Sequence, residues 1–130
     1  MIAYITGATS GIGEACARKF ATMGWDLIIT GRRKERLEEL QSQIIEQYSV
    51  KVLTQNYDVR DLKDVQKNIS SLDEYWSKID VLLNNAGLAV GRGSFQEGIY
   101  DDWERMIDTN LKGLIYVSRE ITPIMIKNGK

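Results

Sequence analysis

The chain has 130 residues, of which 43% are hydrophobic and 27% charged, with a formal net charge of −1. That length and mixture fit one soluble globular domain or part of one, and the charge gives no pull toward nucleic acid or an anionic membrane. Histidine is absent and Cys16 is the single cysteine, which excludes a zinc site, a Ser-His-Asp triad, a Cys-His dyad and an intrachain disulfide within the chain. Chemistry here must rest on Tyr, Lys, Ser, Asn or carboxylates. No apolar run approaches the ~20 residues that span a bilayer. The start Met1-Ile2-Ala3-Tyr4 lacks the charged n-region of a signal peptide, so a cytoplasmic protein is expected, with no nucleic-acid or membrane partner.

In chain order, residues 2–6 read as an apolar strand and residues 14–23 as a helix with Ile12, Ala15, Cys16, Lys19, Phe20 and Met23 at helical spacing. Cys16 reads there as a small buried hydrophobe. Gly24 stops that helix, and residues 25–30 form a second strand. Leu37, Leu40, Ile44, Ile45 and Tyr48 mark one face of a helix over residues 33–48, and a third strand covers residues 50–57. Asp61 is placed to cap a helix that buries Leu62, Val65, Ile69 and Leu72. Residues 80–84 form a fourth strand, and residues 88–98 a glycine-rich loop. Asp101 or Asp102 caps a long last helix over residues 103–126, with Trp103, Met106, Ile107, Asn110, Leu111, Leu114, Ser118, Ile121 and Met125 on its core stripe. Pro123 is expected to kink its last turns. The alternation predicts an α/β fold, a Rossmann-like doubly wound parallel sheet of order 3-2-1-4, in one domain over residues 1–130. The fourth strand is left as an apolar edge, which reads as truncation before a fifth.

The most telling run is Thr6-Gly7-Ala8-Thr9-Ser10-Gly11-Ile12-Gly13, between the first strand and the first helix. A glycine-rich turn opening a helix presents backbone N–H groups and the positive end of the helix dipole to an anion. Gly7 would permit the tight turn, Gly11 the approach of a pyrophosphate and Gly13 close packing of helix on strand. Thr9, Ser10 and Ile12 of the same run are further candidate cofactor-binding residues. The spacing is G-x-x-x-G-x-G rather than the commoner G-x-G-x-x-G. At the end of the second strand, the place of a ribose-binding acid is taken by Gly31, followed by Arg32 and Arg33. With no carboxylate to repel a 2′-phosphate and two guanidinium groups to bind it, NADP is expected over NAD, with Arg32 the favoured ligand. The alternative is that both arginines belong to a solvated charge run, residues 32–36.

Thr6 to Gly13 matches the T-G-x-x-x-G-x-G of the short-chain dehydrogenase/reductase family. Asn84-Asn85-Ala86-Gly87 matches its N-N-A-G motif, Asp58-Val59 its adenine-contacting pair, and Asn110 its helical active-site asparagine. The chain therefore resembles the cofactor-binding part of that family. Thr30 to Arg33, Asn84 to Val90 and Trp103 to Gly113 are similar to the NADP-dependent 3-hydroxy acid dehydrogenases acting on serine or allo-threonine. The resemblance implies that Asp58 accepts from the adenine amine while the Val59 amide donates to the ring. It implies that Asn85 ties strands together, with Ala86 and Gly87 lining the ribose and nicotinamide side, and that Asn110 holds a water in a proton relay. Bland readings stand beside these: Asp58 and the N-N-A-G run as plain turns, and Asn110 as an amide bonded to a carbonyl of the fourth strand.

The family's chemistry also needs a Ser, and a Tyr with Lys four residues later. Tyr4, Tyr48, Tyr57, Tyr75, Tyr100 and Tyr116 are followed at that spacing by Ala8, Val52, Asp61, Ile79, Glu104 and Glu120. The expectation is thus an NADP-dependent oxidoreductase interconverting a small hydroxy compound and its carbonyl. These 130 residues would carry its cofactor half, be inactive alone, and form a homo-oligomer through the last helix. A non-catalytic dinucleotide-binding or redox-sensing module is the alternative.

Overall fold

Four apolar segments form one parallel sheet in the computed structural model, which describes residues Met1–Lys130. They are β1 (Ile2–Ile5), β2 (Asp26–Gly31), β3 (Val52–Asn56) and β4 (Val81–Leu83), ordered β3-β2-β1-β4 as expected. Ile5 lies opposite Ile29 on one side and Leu83 on the other, and Gly31 lies opposite Asn56. The four carboxyl ends therefore finish together. Side chains alternate across a strand, and both faces are covered. Ala3, Ile5, Leu27 and Ile29 pack with Ala17 and Ala21 of α1 (Gly11–Thr22) and with Leu37, Leu40 and Ile44 of α2 (Lys34–Gln47). On the other face, Ile2, Tyr4 and Ile28 meet Val65 and Ile69 of α3 (Leu62–Ser70) and Val117 and Ile121 of α5 (Leu114–Lys127). A further helix, α4 (Tyr100–Ile107), precedes α5. No helix is long and apolar enough to cross a membrane.

Several helix faces depart from the pattern read in the sequence. In α1 the buried residues are Gly13, Ala17 and Ala21, whereas Ile12 and Met23 are exposed and Cys16 is half-buried. The helix approaches the sheet too closely for large side chains, so its inner stripe is made of small ones. Ile45 of α2 and Leu62 of α3 face solvent, while Asp61 caps α3 as expected by accepting from the Asp64 N–H at 3.2 Å. The last helix is not continuous. Asp108–Gly113 forms a π-helical segment between α4 and α5. Ile107, Leu111 and Leu114 are exposed, while Val117 and, as expected, Ile121 are buried. α4 begins at Tyr100 after Ile99, so Asp101 and Asp102 occupy its first turn rather than cap it. Pro123 lies inside α5, which continues to Lys127.

Candidate functional site

The glycine turn is fixed between β1 and β4. Gly7 has φ +64°, a left-handed conformation open to glycine. The Asn85 side-chain amide donates to the carbonyls of Thr6 (3.2 Å) and Gly7 (3.0 Å). The Thr6 hydroxyl accepts from the backbone N–H groups of Asn85 (3.1 Å) and Ala86 (3.0 Å). Asn85 thus ties the end of β4 to the turn after β1. A Cβ on Gly13 would lie 2.3 Å from the Gly7 carbonyl oxygen and 2.4 Å from Asn85 Nδ2, so this is where the first turn of α1 meets the strand end. Nothing stands within 4 Å of a Cβ built on Gly11, which faces open space.

Ser10 is the N-cap residue of α1, yet its side chain makes no capping hydrogen bond. Its hydroxyl instead accepts from Arg33 Nη2 at 3.2 Å, and the Thr9 hydroxyl accepts from the same nitrogen at 2.8 Å. The first N–H groups of the helix are left without an intrahelical partner, which suits them to an anion. Arg33 and the two hydroxyls form one cationic rim. Arg32, expected to be the main phosphate ligand, lines the same cleft but is not held by these hydroxyls.

The cleft has a volume of about 320 Å³ and opens at the carboxyl ends of the strands. It is bordered by Gly7, Thr9, Ser10, Ile12, Arg32, Arg33, Asp58, Val59, Asn85, Ala86 and Gly87, all singled out in the sequence. Gly13 is buried beneath it, and Gly11 and Asn110 stand outside its wall. Thr30, Tyr57, Leu88 and Thr109 also line it and were missed. Thr30 and Tyr57 sit at strand ends and could have been inferred from topology. Leu88 and Thr109 depend on the loop and the π turn, which carry no periodic signal.

Asp58 sits at the far end with both carboxylate oxygens engaged by Arg60, the closest contact being 2.7 Å to Nη2. Burial alone would raise its carboxyl, but hydrogen bonds and charge from Arg60, with the charge of Arg32, hold it below the usual carboxylate range. The adjacent Val59 is buried against Gly113, where an added Cβ would come within 2.6 Å of Val59 Cγ2. Asn110 is exposed rather than buried, and its amide pairs with the Leu88 backbone instead of a β4 carbonyl. Its Oδ1 accepts from the Leu88 N–H (2.7 Å) and its Nδ2 donates to the Leu88 carbonyl (2.8 Å). One N–H and one lone pair of that amide remain available.

A glycine turn, an uncapped helix end and an asparagine staple at the carboxyl end of a 3-2-1-4 sheet agree with the family model for short chain dehydrogenases, which matches residues 1–130. The chain belongs to the short chain dehydrogenase family. Among members of that family, it is 48% identical over 128 residues to sulfoacetaldehyde reductase 2 of Chromohalobacter salexigens, covering 98% of this chain and 50% of that protein. It is 45% identical over 130 residues to the NADP-dependent 3-hydroxy acid dehydrogenase YdfG of Salmonella typhi, covering 100% of this chain and 51% of that protein. The crystal structure of serine dehydrogenase from Escherichia coli superposes with a TM-score of 0.88 at 42% identity, covering 98% of this chain and 57% of that one. The chain spans about half the length of the curated short chain dehydrogenases it matches.

Proposed function

We propose that residues 1–130 are a single Rossmann-type domain part that binds NADP for an oxidoreductase interconverting a small hydroxy compound and its carbonyl. One observation carries the reading: Arg33, Thr9 and Ser10 form a cationic, hydroxyl-lined rim at the end of β2, where a ribose-binding carboxylate would otherwise stand. Bound NADPH supplies a hydride to a carbonyl carbon. The chain's own residues do the rest of this half of the work. The amides after Ser10, with Gly11 and Gly13 leaving room, receive the pyrophosphate. Arg33, Arg32, Thr9 and Ser10 receive the 2′-phosphate. Asp58 and the Val59 amide hold the adenine, and Ala86 and Gly87 border the ribose and nicotinamide side. The spare N–H and lone pair of Asn110 position a water that passes a proton to or from the reacting oxygen. The Ser, Tyr and Lys of the family's chemistry have no counterpart in these residues, so they do not turn over substrate alone.

The relatives named for 3-hydroxy acids and sulfoacetaldehyde favour a small substrate bearing a carboxylate or sulfonate. A homo-oligomer in the cytoplasm is part of the same reading, supported by exposed Ile107, Leu111, Leu114 and Ile115. The test is fluorescence titration of the full-length protein with NADPH and NADH, followed by NADPH oxidation against such aldehydes and keto acids. NADPH is expected to bind at least tenfold tighter, with turnover of the anionic carbonyl. Equal affinity for the two would sink the assignment of Arg33, and binding of neither would sink the dinucleotide reading.

A further inference from the structure

Arg60 belongs to none of the sequence motifs and lies just outside the cleft, yet it makes four polar contacts to Asp58, which lines it. Oδ1 of Asp58 accepts from the Arg60 backbone N–H (3.0 Å) and from Nε (3.1 Å). Oδ2 accepts from Nε (3.0 Å) and Nη2 (2.7 Å). Both partners are only part-exposed, with side-chain accessibilities of 33% for Arg60 and 27% for Asp58. The three hydrogens are those of the backbone N–H, of Nε, shared between both oxygens, and of Nη2; a carboxylate offers about four acceptor directions, so one is left for a ligand donor. No group other than Arg60 donates a hydrogen bond to that carboxylate. Arg32 adds a second cation near Asp58, and Asp108 of the π segment adds a negative charge near Arg60. Asp61 and Lys63 border the outer cavity beside them, and the Asp61 carboxylate is already used on the Asp64 N–H.

A short carboxylate on a turn loses rotational freedom when a ligand captures it, unless the protein has already fixed it. The Arg60 fork does this before any ligand arrives, and does so with planar bidentate geometry that a lysine lacks. We propose that Arg60 is the positioning residue of the adenine end, locking the Asp58 carboxylate as an acceptor so that the cleft selects a 6-aminopurine over a 6-oxopurine. The inference rests on the reading of the cleft as an adenine-dinucleotide site. An ionised carboxylate cannot donate, so it faces the 6-oxo group of hypoxanthine acceptor to acceptor, while the 6-amino group of adenine meets it as a donor. Burial favours protonation of Asp58, and Arg60 is the main opposing influence. Without Arg60 the carboxyl gains both rotational freedom and a tendency to protonate, and each weakens the discrimination.

The experiment is fluorescence titration of the full-length protein and its R60Q and R60K variants with NADPH and with reduced nicotinamide hypoxanthine dinucleotide phosphate. The wild type is expected to prefer NADPH by about tenfold or more, as for a hydrogen bond to a charged group. R60Q is expected to fall to within about twofold, and R60K, a cation without the fork, to lie between them. A purely structural role for Arg60 would weaken both cofactors equally, and an unchanged ratio in R60Q would therefore overturn the proposal. Should R60Q not fold, the same ratio in R60K decides. A wild type that binds both cofactors alike overturns the Asp58–adenine contact and this inference with it, leaving the dinucleotide site intact. A wild type that binds neither overturns the site itself.

Discussion

The two ends of the cleft are built from different materials. At the β1–β4 end the surface is backbone: the Gly7 turn, the Gly13 approach and the Asn85 staple leave no room for a methyl group. At the β2–β3 end the surface is side chain held by side chain, Arg33 on Thr9 and Ser10 and Arg60 on Asp58. A backbone surface has one shape and fails as a whole when a Cβ intrudes. A side-chain surface is graded, and its losses should be partial and specific to one part of the ligand.

Gly13→Ala puts the sharpest strain on that contrast. Its Cβ would meet the Gly7 carbonyl and Asn85 Nδ2 together, and overpacking against backbone is expected to cost about 3 kcal/mol and to cut NADPH affinity by about a hundredfold. Chemical denaturation and cofactor titration read both, and a variant with wild-type values would show that the backbone end is as yielding as the other. Beneath the β2–β3 end lies a buried polar network in which the Tyr4 hydroxyl donates to Gln55 Oε1 at 2.7 Å and meets the Tyr57 hydroxyl at 2.7 Å. Tyr4→Phe leaves both partners short, and a loss of about 1–3 kcal/mol in urea unfolding is expected. An unchanged midpoint would mean that this end does not depend on its underlying strands.

Arg33→Ala tests the rim itself. NADPH affinity is expected to fall about tenfold, NADH affinity to hold, and stability to stay within about 0.5 kcal/mol of wild type. A parallel loss of NADH binding would move Arg33 from the 2′-phosphate to the shape of the turn. The smallest effect is acid sensitivity. Asp58 is lowered against its burial by Arg60 and Arg32, and Asp80 against its burial by Lys130, the Ile2 N–H and the amino terminus. Their folded values lie below the unfolded carboxylate value of about 4, so the unfolded chain binds more protons between the two and stability rises with pH there. Their contribution is complete above that range and is lost as pH falls through the folded values. Asp80→Asn should flatten this acid limb in stability measurements between about pH 5 and pH 2, and an equally steep limb would assign it to other groups.

The same contrast explains what could be read from the sequence. Glycine shows a backbone surface directly, because a strand followed by Gly7, Gly11 and Gly13 has few other uses, and the strand order follows from the alternation. The faces of α1 and α5 could not be read as easily. Hydropathy picks out Ile12 and Met23, while the real inner stripe of α1 is Gly13, Ala17 and Ala21, chosen for size rather than apolarity. Around the π segment at Asp108–Gly113 the expected stripe fails at Leu111 and Leu114, which are exposed, and returns at Ile121, which is buried as expected. Pairings such as Arg60 with Asp58, or Arg33 with Ser10, look in sequence like an ordinary charged stretch.

Ser10 stands where a cap belongs and gives its hydroxyl to Arg33 instead. A missing side-chain cap leaves a helix less stable by about 1 kcal/mol, and here that deficit is located at the mouth of the cleft. An anion arriving there would therefore do the work of a cap. The amides at the start of α1 should exchange with solvent readily in the free protein and slowly in the bound one, so that ligand binding finishes the fold of the first helix.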